Sequence, residues 1–124
     1  MAFRAIIINP TIRKGEAKDI NIELFTDEGL PLNLSEYIDP AVFLMAKRWV
    51  TQDDADALIN EECDIIDEEN GYCKAFLPWE ETTNYDEGRY LAEIDLVFYD
   101  SNGYEHREKS DTLIMWIKSP IRVN

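Results

Sequence analysis

Apolar and polar residues alternate along most of this chain. Ile20, Ile22 and Leu24 are separated by Asn21 and Glu23, and Cys73, Ala75 and Leu77 form a second such row. Tyr90, Ala92, Ile94, Leu96 and Phe98 share one side of a stretch whose other side carries Glu93 and Asp95. Leu113, Met115 and Ile117 alternate with Ile114, Trp116 and Lys118. A period of two is the repeat of a half-covered strand, because successive side chains point to opposite faces of a sheet. Strands are therefore predicted over 3–8, 19–26, 41–47, 63–67, 73–77, 90–99, 104–109 and 113–118, with a short piece around Leu32.

The punctuation between these runs is regular. Asp27-Glu28-Gly29, Glu68-Glu69-Asn70-Gly71, Asp86-Glu87-Gly88 and Asp100-Ser101-Asn102-Gly103 each begin with acids and end in glycine. Acidic side chains hold tight bends by local hydrogen bonds, and glycine accepts the positive φ of such corners. One segment departs from the pattern. Thr51 to Glu61 opens on cap-type residues and carries Ala55, Leu58 and Ile59, which predicts a short helical crossover. Seven or eight short strands with one such crossover predict an all-β fold, an antiparallel β-sandwich in a single domain over residues 1–124.

Composition narrows the function classes. Among 124 residues, 26 acids face 12 bases for a net charge of −14, a surface that repels phosphate backbones and anionic membrane faces. Nucleic-acid and membrane partners are therefore not expected. The longest apolar runs, Phe3 to Ile8 and Leu113 to Ile117, fall far short of the roughly 20 residues of a membrane span. The first ten residues read as a strand rather than a signal peptide. Cys63 and Cys73 flank a predicted turn, and two thiols without signs of secretion read as buried free cysteines.

Chemistry-bearing motifs are sparse. The one histidine, His106, sits in the charged run Tyr104-Glu105-His106-Arg107-Glu108-Lys109 and reads as part of a solvated strand face rather than as a catalytic base. One histidine and two cysteines cannot form a zinc site without carboxylates. Acids crowd Asp53-Asp54-Ala55-Asp56 and Asp64 to Glu69, but neither run has the spacing of a calcium loop. No metal, cofactor or catalytic residue is assigned. Trp49, Trp79 and Tyr85, with Tyr99 and Tyr104, lie beside predicted turns, where rings could stack on a sugar or cap the core. If Leu113, Met115 and Ile117 face inward, Ile114 and Trp116 face outward. Together with Ile6, Ile8, Ile121 and Val123 they form a candidate interface on the terminal strands.

The order of these features resembles a family. Thr11-Ile12-Arg13-Lys14-Gly15-Glu16, Asp19-Ile20-Asn21-Ile22-Glu23-Leu24 and Asp27-Glu28-Gly29-Leu30-Pro31-Leu32-Asn33-Leu34-Ser35 look like the start of the upper-baseplate-protein amino-terminal domain of tailed phages. The likeness continues through Ile65-Ile66-Asp67-Glu68-Glu69-Asn70-Gly71 and Glu87-Gly88-Arg89-Tyr90-Leu91-Ala92-Glu93-Ile94 and closes with Asp100-Ser101-Asn102-Gly103. The resemblance implies an immunoglobulin-like sandwich and a non-enzymatic virion role in the tail, baseplate, neck or fibre attachment. It also implies synthesis in the host bacterial cytoplasm and other virion proteins as partners. Members lead on into a coiled coil, whereas no heptads follow here, so a stand-alone accessory protein is expected, assembling as a homo-oligomer. The alternative expectation is a carbohydrate-binding or host-adhesion module that uses exposed Trp49, Trp79 and Tyr85.

Overall fold

A computed structural model describes residues 3–48 and 57–119. The described chain is all-β apart from two short turns of helix. Its strands are β1 (Phe3–Ile8), β2 (Thr11–Arg13), β3 (Lys18–Thr26), β4 (Ile38–Lys47), β5 (Ile59–Asp67), β6 (Tyr72–Leu77), β7 (Gly88–Tyr99), β8 (Glu105–Lys109) and β9 (Leu113–Lys118). A 3-10 turn spans Leu34–Glu36, and one helical turn, α1, spans Trp79–Thr82. The predicted crossover lies mostly outside the described residues. Its end differs from expectation, since Ile59, Asn60 and Glu61 already belong to β5. Ile59 is buried there against Ala46, which a strand register satisfies and a helix would not.

Where two separate stacked sheets were expected, the strands form one nine-stranded sheet, ordered β1-β3-β6-β5-β4-β7-β9-β2 with β8 beside β7, curled into a half-barrel. β5 makes the continuity. Its first half pairs with β4 (Val42 opposite Cys63, Ala46 opposite Ile59), and its second half pairs with β6 (Asp64 opposite Lys74, Ile65 opposite Cys73). The change of partner falls between Cys63 and Asp64, and a register irregularity follows between Ile65 and Asp67. β7, with 12 residues, is the longest of these strands. It pairs with β4 on one edge, and its other edge is shared between β9 over Gly88–Ala92 and β8 over Asp95–Tyr99.

The predicted inward rows form the core. Ile20, Ile22, Leu24, Ala75, Leu77, Ala92, Ile94, Leu96, Met115 and Ile117 are buried, joined by Ile12, Leu34, Val42 and Leu44. Cys63 and Cys73 lie among them as free thiols, each pushed up to about 12 by burial. Three of the predicted corners are tight reversals: Asp27 to Gly29 after β3, Glu68 to Gly71 between β5 and β6, and Asp100 to Gly103 between β7 and β8. The fourth, Asp86 to Gly88, does not join neighbouring strands. It follows α1, which carries the chain from β6 on one side of the curl to β7 on the other. The buried Thr82 hydroxyl fixes α1 by accepting from the Gly15 N–H at 3.1 Å and donating to the Glu16 carbonyl at 2.9 Å.

Candidate interaction surface

β1 and β2 are one run of chain broken at Asn9, whose φ of 55° is a left-handed conformation that asparagine tolerates better than most residues. Pro10 follows and cannot donate to a ladder. The break moves the chain from the β3 edge of the sheet to β9, with which β2 pairs in parallel, Thr11 opposite Trp116. The two ends of the curled sheet therefore meet along a seam. Phe3 bridges Ser110, the Ala5 N–H donates to Asp111 Oδ1 at 3.2 Å, the Trp116 N–H donates to the Pro10 carbonyl at 3.0 Å, and Arg13 Nη1 donates to the Ser119 carbonyl at 3.4 Å. These contacts join residues 105 to 107 apart in sequence, so the segments run roughly in parallel along the seam.

This register brings the predicted interface residues to one place. Ile6 (51% exposed) and Ile8 (45%) stand on the outside of β1, and Ile114 (44%) and Trp116 (41%) on the outside of β9. Ile121 and Val123 lie outside the described residues. Cations border the apolar strip. Lys118 Nζ lies 5.3 Å from the centre of the Trp116 ring, Arg89 is the cross-strand neighbour of Trp116, and Arg13 is that of Lys118. A large ring flanked by guanidinium and ammonium groups at a strand pair is chemistry for contact with another protein surface, since tryptophan and arginine carry interface energy out of proportion to their number.

β5, in the middle of the strand order, has a different character. From Ile59 to Gly71 the chain has six acids, Glu61, Glu62, Asp64, Asp67, Glu68 and Glu69, and no base. Ile66 (60% exposed) and Tyr72 (44%) stand among them. With Ile8 and Glu23 they border a shallow hollow on the outer face of β1, β3 and β6.

Two charged clusters escaped the sequence pattern. Asp95, expected to face water, has no exposed surface. Its carboxylate accepts from Lys109 Nζ at 3.2 Å and lies 3.5 Å from Arg107 Nη1, while Glu93 takes Lys109 at 3.2 Å and Lys47 at 4.0 Å. Burial alone would lower the Lys109 ammonium, but the two carboxylates outweigh it and the net shift is upward. The second cluster lines a cleft of about 440 Å³ formed by Leu58, Asn60, Glu61, Glu81, Asn84 and Tyr85. Glu61 is raised above the usual carboxyl range by burial and by Glu81, to which it is hydrogen-bonded. The Tyr85 phenol is pushed up to about 12 by burial, then by Glu81 and Glu61. Two carboxyl groups bonded to each other can hold a shared proton. With acids so frequent in the chain, no spacing singled out this pair.

The aromatic candidates do not form a platform. Trp79 is 56% exposed at the start of α1, but Tyr85 is 6% exposed and offers no ring face to a sugar, a correction to its reading as a ligand aromatic. Tyr85 closes the core beneath α1 instead. Trp49 lies outside the described residues. His106 stacks on Phe98 at 5.3 Å, and its Nε2 lies 2.9 Å from Asp100 Oδ2, which together with backbone N–H donors lowers the Asp100 carboxyl. Among the described residues no helix is long and apolar enough to cross a membrane, and no three His, Cys, Asp or Glu side chains gather as metal ligands. No family model and no curated protein matches the chain.

Proposed function

We propose that this chain is a non-enzymatic assembly module, a structural protein of a tailed-phage virion that acts through protein–protein contact, with copies of itself and with other virion proteins. The observation that carries the assembly reading is the seam. Four large apolar side chains, Ile6 and Ile8 on β1 and Ile114 and Trp116 on β9, are exposed on the strands that meet at the seam of a chain otherwise rich in charge. Such a strip in water favours burial by a partner. The phage context rests on the motif resemblance from Thr11 to Ile117.

The finer fold reading is immunoglobulin-like, and three features support it. The orders β1-β3-β6-β5 and β4-β7-β9 follow the two sheets of that sandwich, four strands against three, with β2 added beside β9. A helical turn joins the sixth strand to the seventh. Near the start of β7 the Tyr90 hydroxyl donates to the Asp86 carbonyl at 2.7 Å, the tether of a tyrosine corner. Of the adhesion alternative, Trp79 and Tyr104 are exposed but stand on separate elements, the start of α1 and the turn before β8, which leaves it the weaker reading.

Light scattering of the purified chain at micromolar concentration tests the proposal. A defined oligomer is expected, and it should dissociate in the Ile114→Asp, Trp116→Asp variant with no loss of the β-sheet spectrum. A wild-type chain that stays monomeric up to about 100 µM, where binding is worth less than about 6 kcal/mol, would sink self-assembly.

A further inference from the structure

We propose that Glu61 and Glu81 form a proton-dependent clasp, which holds α1 against the start of β5 in acid and lets it go toward neutral pH. This stands apart from the assembly reading. Its ground is that the two carboxyl groups, one from each wall of the cleft, are hydrogen-bonded to each other. An ionised carboxylate can only accept, so two carboxyl groups in contact need a proton between them. Glu81 also takes a hydrogen bond from the Tyr85 hydroxyl, and Glu61, whose carboxyl is the raised one, carries the shared proton.

The two walls are fastened unequally. The β5 wall belongs to the sheet: Ile59 pairs with Ala46, Glu61 pairs with Leu44, and the Leu58 N–H donates to the Ala46 carbonyl at 2.9 Å. α1 is a single turn that joins no ladder. Thr82 pins its last residue to Gly15 and Glu16, and Tyr85 is buried beneath it. The titratable groups of the cleft are Glu61 from β5, Glu81 from α1 and Tyr85 from the turn that follows; Asn60, Asn84 and Leu44 carry no charge. Asp56, next in sequence to the cleft residue Ala57, lies outside the described residues. When pH rises through the raised value of Glu61, the shared proton leaves and two like charges face each other. Tyr85 keeps its proton throughout, its phenol being pushed up to about 12. The start of α1, with the exposed Trp79, is then freed while Thr82 holds its end.

Backbone hydrogen exchange of the full chain tests the clasp, with protection over residues 79–85 measured relative to β3. Between about pH 5 and about pH 8, where ordinary carboxyl groups are already ionised, relative protection should fall about two- to fivefold, a modest change because the pair is partly exposed to solvent. Glu61→Gln should remove the transition and keep protection at its acid level, since a carboxamide donates to Glu81 at every pH. Glu81→Gln should act in the same way from the other wall, and serves if Glu61→Gln does not fold. Glu61→Ala should stay at the neutral-pH level throughout, and Asp56→Asn should keep the transition. Constant protection in the wild type overturns the clasp, as does a transition that survives in the Gln variants or disappears in Asp56→Asn. Gln variants that match Glu61→Ala would mean that packing rather than a proton holds α1, which overturns it as well.

Discussion

The Asp95 carboxylate sits in the middle of β7 with no exposed surface, held by Lys109 and flanked by Arg107. Removing one member of a fully buried pair costs about 3–5 kcal/mol, but here Lys109 is itself 41% exposed and Arg107 stays beside the carboxylate, so the loss is smaller. Lys109→Met is therefore expected to lower the urea midpoint by the equivalent of about 1–2 kcal/mol, and Asp95→Leu with Lys109→Met by less. Equal losses in single and double variants would mean that the pair does not act as a unit. The Glu61–Glu81 pair runs the other way. Burial and then Glu81 raise the Glu61 carboxyl, so the folded chain binds its proton more tightly than the unfolded chain. That contribution is fully present below the ordinary carboxyl range and is lost as pH rises through the raised value, so at neutral pH the pair is a cost. Glu61→Gln should raise the melting temperature at pH 7, by the equivalent of less than about 1 kcal/mol given solvent screening, and give no gain near pH 3.

At the level of elements, the turns show why glycine positions are not equivalent. Gly29 has φ +86° and open space around it, with no atom within 4 Å of where a Cβ would stand. Gly71 has φ +68°, and a Cβ there would lie 2.8 Å from the Leu32 carbonyl oxygen and 2.9 Å from that of Leu24. Gly29→Ala should cost about 1 kcal/mol for the left-handed backbone alone. Gly71→Ala adds overlap with backbone that is itself hydrogen-bonded and should cost about 3 kcal/mol or more. Equal denaturation midpoints for the two variants would show that the β5–β6 corner yields freely. These corners and the alternating rows were legible in the sequence because period and glycine placement are local. The seam was legible only in part. Ile6, Ile8, Ile114 and Trp116 could be read as outward, but not as lying on strands that meet, because the parallel pairing of β2 with β9 across 105 residues leaves no local mark. Asp95 failed for a similar reason: its partners lie on β8, a strand whose own pattern is charged throughout.

For the molecule as a whole, two electrostatic effects of opposite sign act over different distances. Each copy carries a net charge of −14, and bodies so charged repel across tens of ångströms in dilute salt. The seam cations Arg13, Arg89 and Lys118 attract acids of a neighbouring copy at contact. The screening length falls from about 30 Å at 0.01 M salt to about 8 Å at 0.15 M and about 3 Å at 1 M. The long-range repulsion is thus removed first, while contact pairs persist until the screening length nears their own separation. Association should therefore strengthen between 0.01 and 0.15 M salt, as the repulsion between whole copies fades, and weaken again toward 1 M as the paired charges are screened. The apolar strip, being insensitive to screening, sets the residual association at high salt. Sedimentation across this range discriminates the contributions. A steady rise to 1 M would mean that the apolar contacts act alone, and a steady fall would mean that net charge never governs the encounter.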